Sequence, residues 1–274
     1  MTAKTITAII GDLHIGGSTA LAPPTFQIHI REPKETQTVS HSPLQAWLWG
    51  CWTDYWNYVR KLAGGNRRTK RLVVVCLGDI IEGIHHNSPQ VMNEKFDQIK
   101  TAQEVLRPIR DMADAFYGIL GTGTHAGLAA TDETSIYEAL DVTEFGQQLS
   151  IELGGYVHDF AHHPGGASRR SWTSSAAAVG AEVMLDYAAV GMHPPNYVWR
   201  GHNHVIDDSG LKLPGTRVLF TPAWQLKTEY GWRVSPNKIR SDIGGFILED
   251  NRLDDSHCRY EGQPEGRYII NDGK

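Results

Sequence analysis

Five apolar, β-branched runs in this chain each stop at a short loop carrying aspartate or histidine. They are KTITAII before GDLH, RLVVVC before LGD, AFYGIL before GTGTH, YVHDF before AHH, and NYVW before RGHNH. Such runs read as strands, and glycine followed by a polar residue reads as the exit loop. RVLFTPAW and IGGFILED read as further strands. Helical segments lie between them. In residues 44–63, Leu44, Leu48, Cys51, Tyr55, Val59 and Leu62 recur at three or four, and Trp47, Trp49, Trp52 and Trp56 widen a core-facing side. Residues 94–113, with Pro108 as a bend, 133–149, and the alanine-rich 173–192 are also expected to be helical. Strands alternating with helices specify an α/β fold. In such sheets, sites collect beyond the carboxyl ends of the strands. Five strand ends therefore bring oxygen and imidazole donors to one rim.

The chain shows neither repeats nor a low-complexity linker, so its 274 residues read as a single domain, 1–274. Pro23, Pro24, Pro33 and Pro43 mark 18–43 as an irregular insertion. A net charge of −5 excludes a global basic field that would collect nucleic acid, although bound cations can supply positive charge locally. Cys51, Cys76 and Cys258 have no paired spacing, which fits a reducing, cytoplasmic setting. The opening residues have no signal-peptide core, and no apolar stretch approaches the roughly 18 residues of a membrane span.

Of the thirteen histidines, six fall in three pairs: His85–His86, His162–His163 and His202–His204. A lone histidine is usually a satisfied core residue. Two histidines two apart share a face on a strand, or splay toward two nearby points in a loop, and either arrangement suits metal ligation.

Taken in order, Asp12-Leu-His14, Gly78-Asp79, Gly123-Thr124-His125, His162 and Gly201-His202-Asn203-His204 resemble the motif series of the calcineurin-like metallophosphoesterases. HHPGG, SRRSW and FTPAWQLKT are most similar to bacteriophage-encoded members, which would place the protein in a host cytoplasm. The resemblance implies two mixed β-sheets packed as a sandwich flanked by helices. It implies two divalent metal ions, with Mn expected and Fe, Zn or Ni suited to the same nitrogen and oxygen donors. Asp12, His14 and His204 would hold the first ion, Asp79 would bridge, and His162 and His202 would hold the second. His162 is preferred to His163 because it follows the strand directly. His125 would contact the phosphate and assist the leaving oxygen. Two positions depart from the family pattern. Thr124 replaces an asparagine ligand, a poorer donor that weakens the second ion, and Ala126 replaces an acidic residue.

The expected activity is hydrolysis of phosphodiester bonds in DNA, RNA or nucleotides by metal-bound hydroxide. The alternatives are phosphomonoester or phosphoprotein hydrolysis, or a degenerate metal-binding member that acts through a protein partner. Arg169 and Arg170 could grip a substrate phosphate, or could be a solvated pair. The basic turn around Arg67, Arg68, Lys70 and Arg71 could touch a nucleic-acid backbone. His85 and His86 could line the cleft or lie in a surface loop. Glu82 could bond a ligand histidine, and Trp224 and Gln225 could wall the substrate.

Overall fold

The computed structural model describes residues 4–31, 34–64, 70–85, 88–164, 175–210, 213–234 and 240–263. In chain order the elements are β1 (Lys4–Ile10), β2 (Thr25–Ile30), β3 (Glu35–Ser40), α1 (Pro43–Ala63), β4 (Lys70–Cys76), α2 (Lys95–Met112), β5 (Ala115–Ile119), α3 (Gly123–Ala126) and α4 (Thr131–Leu140). Then come β6 (Glu144–Gly146), β7 (Gln148–Leu153), β8 (Tyr156–Ala161), α5 (Ala176–Ala189), β9 (Tyr197–Arg200), β10 (Asp207–Asp208), β11 (Arg217–Phe220), α6 (Glu229–Val234), β12 (Phe246–Glu249) and β13 (Arg252–Asp254).

Two mixed sheets form the centre, a six-stranded one in the order β13-β12-β1-β4-β5-β6 and a five-stranded one in the order β10-β11-β9-β8-β7. Their facing surfaces are apolar: Ile9, Val73, Val75 and Phe246 from one sheet meet Phe160, Trp199 and Leu219 from the other. Each fully buried side chain of this kind contributes roughly 1.5–3 kcal/mol. The outer face of the first sheet is covered by α1, α2 and α4, and that of the second by α5. No helix among the described residues is long and apolar enough to cross a membrane.

Local sequence explains α1 well. Ser42 accepts from the Gln45 amide while the Gln45 side chain accepts from the Ser42 amide, a capping box with Pro43 in the first turn. Its buried stripe, Leu48, Cys51, Trp52, Tyr55, Trp56 and Val59, follows the helical period. Pro108 sits inside α2 without ending it.

Two expectations need correction. The segment expected to be irregular at 18–43 contains the hairpin β2–β3, paired from Thr25↔Ser40 to Ile30↔Glu35. Phe26 from this hairpin is buried, and Asp97 of α2 accepts from the His29 amide at 2.7 Å, so contacts with α2 order it. The helix expected over 133–149 ends at Leu140. Asp141 turns left-handed (φ 51°), and the chain re-enters as β6 beside β5 and then β7 beside β8. Open sheet edges outweighed a helical pattern there.

Candidate metal centre

The parallel strands β1 and β4 stay zipped together beyond their ends. Leu77 donates to the Ile10 carbonyl, Asp12 to Gly78, His14 to Asp79 and Ile15 to Ile80, at 2.7–3.0 Å. This extension carries the Asp12-His14 loop and the Asp79 loop side by side. The exits of β8 and β9 join them: the Gly201 amide donates to the His162 carbonyl at 2.9 Å, and the His202 amide reaches both Asp12 oxygens at 3.1 Å. Gly201 allows this approach, since a Cβ there would lie 2.9 Å from Asp12 Oδ2 and 3.2 Å from His162 Nδ1.

Asp12, His14 and His204 form one group of donors and Asp79, His162 and His202 a second, with the donor atoms of each group within 4.8 Å of one another. His14 Nε2 and His204 Nε2 face each other at 3.1 Å, and His204 Nε2 lies 3.3 Å from Asp12 Oδ1. His14 Nδ1 faces Glu82 Oε2 at 3.3 Å. In the second group, His162 Nδ1 donates to the Leu77 carbonyl at 2.6 Å, which leaves Nε2 3.0 Å from Asp79 Oδ2. His163 is exposed and packs on the outside of His202, with ring centres 4.6 Å apart. Of the 162–163 pair, His162 is the one turned inward.

Backbone strain is concentrated here. Asp12, His14, Asp79, His202 and His204 all have φ between 48° and 71°, the left-handed region that non-glycine residues avoid. These five are half of the ten described non-glycine residues with positive φ. Strain of this kind clusters where side chains must be aimed at a common point.

Electrostatics set the donors' protonation. Burial raises the Asp12 carboxyl, but the adjacent His204 outweighs it and holds Asp12 below the usual carboxylate range. Asp79 is also held low, burial being outweighed by His162. Burial lowers His162, and the Asp79 charge overrides it and lifts the imidazole to about 10. His202 is lowered to about 4, first by desolvation among the surrounding protein groups and then by the neighbouring His162. His14 is lowered by burial and then by His125.

Divalent cations of the Mn, Fe, Zn or Ni class fit this donor set. Two imidazole nitrogens on one zinc-like ion, each at about 2.0–2.1 Å, would stand roughly 3.3 Å apart, close to the His14–His204 separation. His162 Nε2 is fully buried and, among the described residues, has no aligned hydrogen-bond partner. Ionised carboxylates beside buried imidazoles complete a set suited to borderline metals.

His125 belongs to a third donor group, with His14 and Asp79. Its Nδ1 donates to the Glu82 carbonyl at 2.6 Å, so Nε2 is the nitrogen left for other work. Its ring stands edge-to-face between His14 and His85, with centres at 4.4 and 4.6 Å. Glu82 is buried, lies 3.3 Å from both His14 Nδ1 and His85 Nε2, and accepts from Gln225 at 2.8 Å. Burial raises Glu82, but His14 outweighs it and brings the carboxyl to about 2.

Several expected residues lie elsewhere. Thr124 is exposed on α3, and the threonine against Asp79 is Thr122. Its amide donates to Asp79 Oδ1 at 2.7 Å and its hydroxyl lies 3.2 and 3.3 Å from the two carboxylate oxygens. The GTGTH stretch has a threonine on either side of Gly123, and the turn into α3 decides which one faces inward. Trp224 is fully buried against Trp52 and Tyr55 and cannot wall a substrate, while Gln225 serves Glu82. Lys70 and Arg71 open β4 at its amino end, opposite the rim, so they are not part of this site. Arg67, Arg68, His86, Arg169 and Arg170 lie outside the described residues.

No protein-family model matches the chain, and neither does any curated protein sequence. Among solved structures it is similar to a single mutant of Vps29 from Entamoeba histolytica, with a TM-score of 0.42 and 14% identity, covering 90% of this chain and 87% of that one. A conserved uncharacterised protein from Streptococcus pneumoniae TIGR4, described as a predicted phosphoesterase, gives a TM-score of 0.39 and 14% identity over 96% of both chains. A metallophosphoesterase from Sphaerobacter thermophilus gives 0.39 and 12%, over 90% of this chain and 86% of its own. Similarity at this level says nothing about activity.

Proposed function

We propose that this chain is a calcineurin-like metallophosphoesterase that uses two divalent cations to hydrolyse phosphodiester bonds of nucleic acids or nucleotides. The observation that carries the reading is the pair of adjacent donor groups, Asp12–His14–His204 and Asp79–His162–His202, with His125 grouped beside one member of each. Asp12, His14 and His204 would hold one cation, His162 and His202 the other, and Asp79 would touch both. Bound there, the cations supply positive charge to a phosphoryl group and lower the pKa of water.

The chain's own residues do the rest. Glu82 faces His14 Nδ1 and so turns Nε2 toward His204. Thr122 holds the Asp79 carboxylate in place. His125, anchored through Nδ1, keeps Nε2 for a phosphate oxygen or the departing oxygen, a charge-stabilising or proton-donating role. Arg169 and Arg170 follow the His162 loop in sequence, and their charge suits a substrate phosphate.

The test is uptake of Mn²⁺, measured by elemental analysis, together with hydrolysis of bis(p-nitrophenyl) phosphate and p-nitrophenyl phosphate. Two ions per chain and faster turnover of the diester are expected. A chain that takes up no metal from excess Mn²⁺ would sink the reading. Metal uptake with neither ester hydrolysed would point instead to a binding role.

A further inference from the structure

None of the chemistry above uses Glu133, yet its side chain is fully buried beneath the site. It stands in the first turn of α4. Its Oε1 accepts the Ile80 amide at 2.8 Å and its Oε2 accepts the Gly121 amide at 2.5 Å. Ile80 directly follows Asp79, and Gly121 directly precedes Thr122, whose amide donates to Asp79 Oδ1. One carboxylate therefore ties the exit of β4 to the exit of β5 on both sides of the Asp79 side chain.

Burying a carboxylate is costly unless strong hydrogen bonds compensate it, and an apolar residue in this place would avoid the cost. The fit is also tight, because a Cβ on Gly121 would lie 2.2 Å from Asp79 Oδ1. Any widening or twisting of the two loops therefore moves Asp79 itself.

We infer that Glu133 is a positioning residue for the cation site built on Asp79, setting the spacing of the two loops that aim this carboxylate. The inference rests on the proposed cation site. The test uses Glu133→Gln, which keeps the side chain's shape but can accept only one of the two amides, and turns its NH₂ toward the other. Glu133→Ala is the second variant. Amide hydrogen exchange at Ile80 and Gly121 is measured in chelator, and Mn²⁺ binding is followed by calorimetry, with circular dichroism and thermal midpoints as folding controls.

Folded variants should exchange faster at Ile80 and Gly121, and Mn²⁺ binding should weaken by about 10- to 100-fold, the range for groups that orient metal ligands. Faster exchange with wild-type Mn²⁺ affinity would make Glu133 a support of the fold alone and overturn the inference. So would unchanged exchange in a folded variant. Fast exchange at either amide in the wild type would overturn it without any variant. If the wild type protects both amides but binds no Mn²⁺, the proposed metal site fails and the positioning role fails with it, while the loop clamp itself stands measured.

Discussion

Gly121→Ala puts the seat of Asp79 under direct strain. The new Cβ would fall 2.2 Å from Asp79 Oδ1, 2.4 Å from its amide nitrogen and 3.1 Å from its Cα. Non-bonded heavy atoms rest near 3.5–4.0 Å, so the β5 exit must retreat from the β4 exit by roughly 1 Å. Neither side yields cheaply. Asp79 is held at φ 49°, its carboxylate accepts from Thr122, and the Gly121 amide is bonded to Glu133. Overpacking of this kind costs about 1–3 kcal/mol of stability. Moving a reacting group by about 1 Å can cost on the order of 100-fold in rate. The assay is kcat/KM on bis(p-nitrophenyl) phosphate with Mn²⁺, alongside thermal unfolding. Gly123→Ala is the control, because a Cβ at Gly123 meets nothing within 4 Å. It should leave both measurements close to wild type. Equal behaviour of the two variants would refute the reasoning. If both were fully active, Asp79 could not be the carboxylate on which the site depends.

Asp79→Asn should lose metal together with turnover, read by elemental analysis and rate. His125→Ala should keep both metals and still slow hydrolysis by about 100- to 10,000-fold on esters with poor leaving groups, and much less on activated aryl esters. Equal losses on both kinds of ester would assign His125 to phosphate contact without proton donation. Thr122→Val should weaken Mn²⁺ binding while Thr124→Val leaves it unchanged, and calorimetry showing the reverse would restore Thr124 to the site. His158 gives a pH prediction for the metal-free chain. It is fully buried, its Nδ1 accepts from Trp199, its Nε2 faces the Asn251 side-chain oxygen, and burial lowers it to about 4. Below the unfolded value near 6.5 the unfolded chain takes up a proton that the folded chain refuses, so stability falls as pH drops from about 6.5 to about 4, by up to roughly 3 kcal/mol. Denaturant unfolding across that window should show a shallower pH slope in His158→Gln, and an unchanged slope would contradict the linkage.

The sequence by itself determined the α/β alternation, the helix α1 and the residues that the strand exits bring together. These are local matters. The capping box at Ser42 and Gln45 lies within one turn, the stripe from Leu48 to Val59 has a helical period, and a strand that ends in Gly-Asp or Gly-His announces its own exit loop. Tertiary structure decided what depends on contacts between distant segments. The β2–β3 hairpin is ordered where it packs on α2, and residues 144–153 became strands because β5 and β8 offered unpaired edges. Thr122 rather than Thr124 meets Asp79 because the turn into α3, pressed against the β4 exit, selects one of two similar hydroxyls. Glu133 carries no signal in its own neighbourhood, since its partners at Ile80 and Gly121 lie 53 and 12 residues away and their amides come together only when parallel strands stack β4 beside β5.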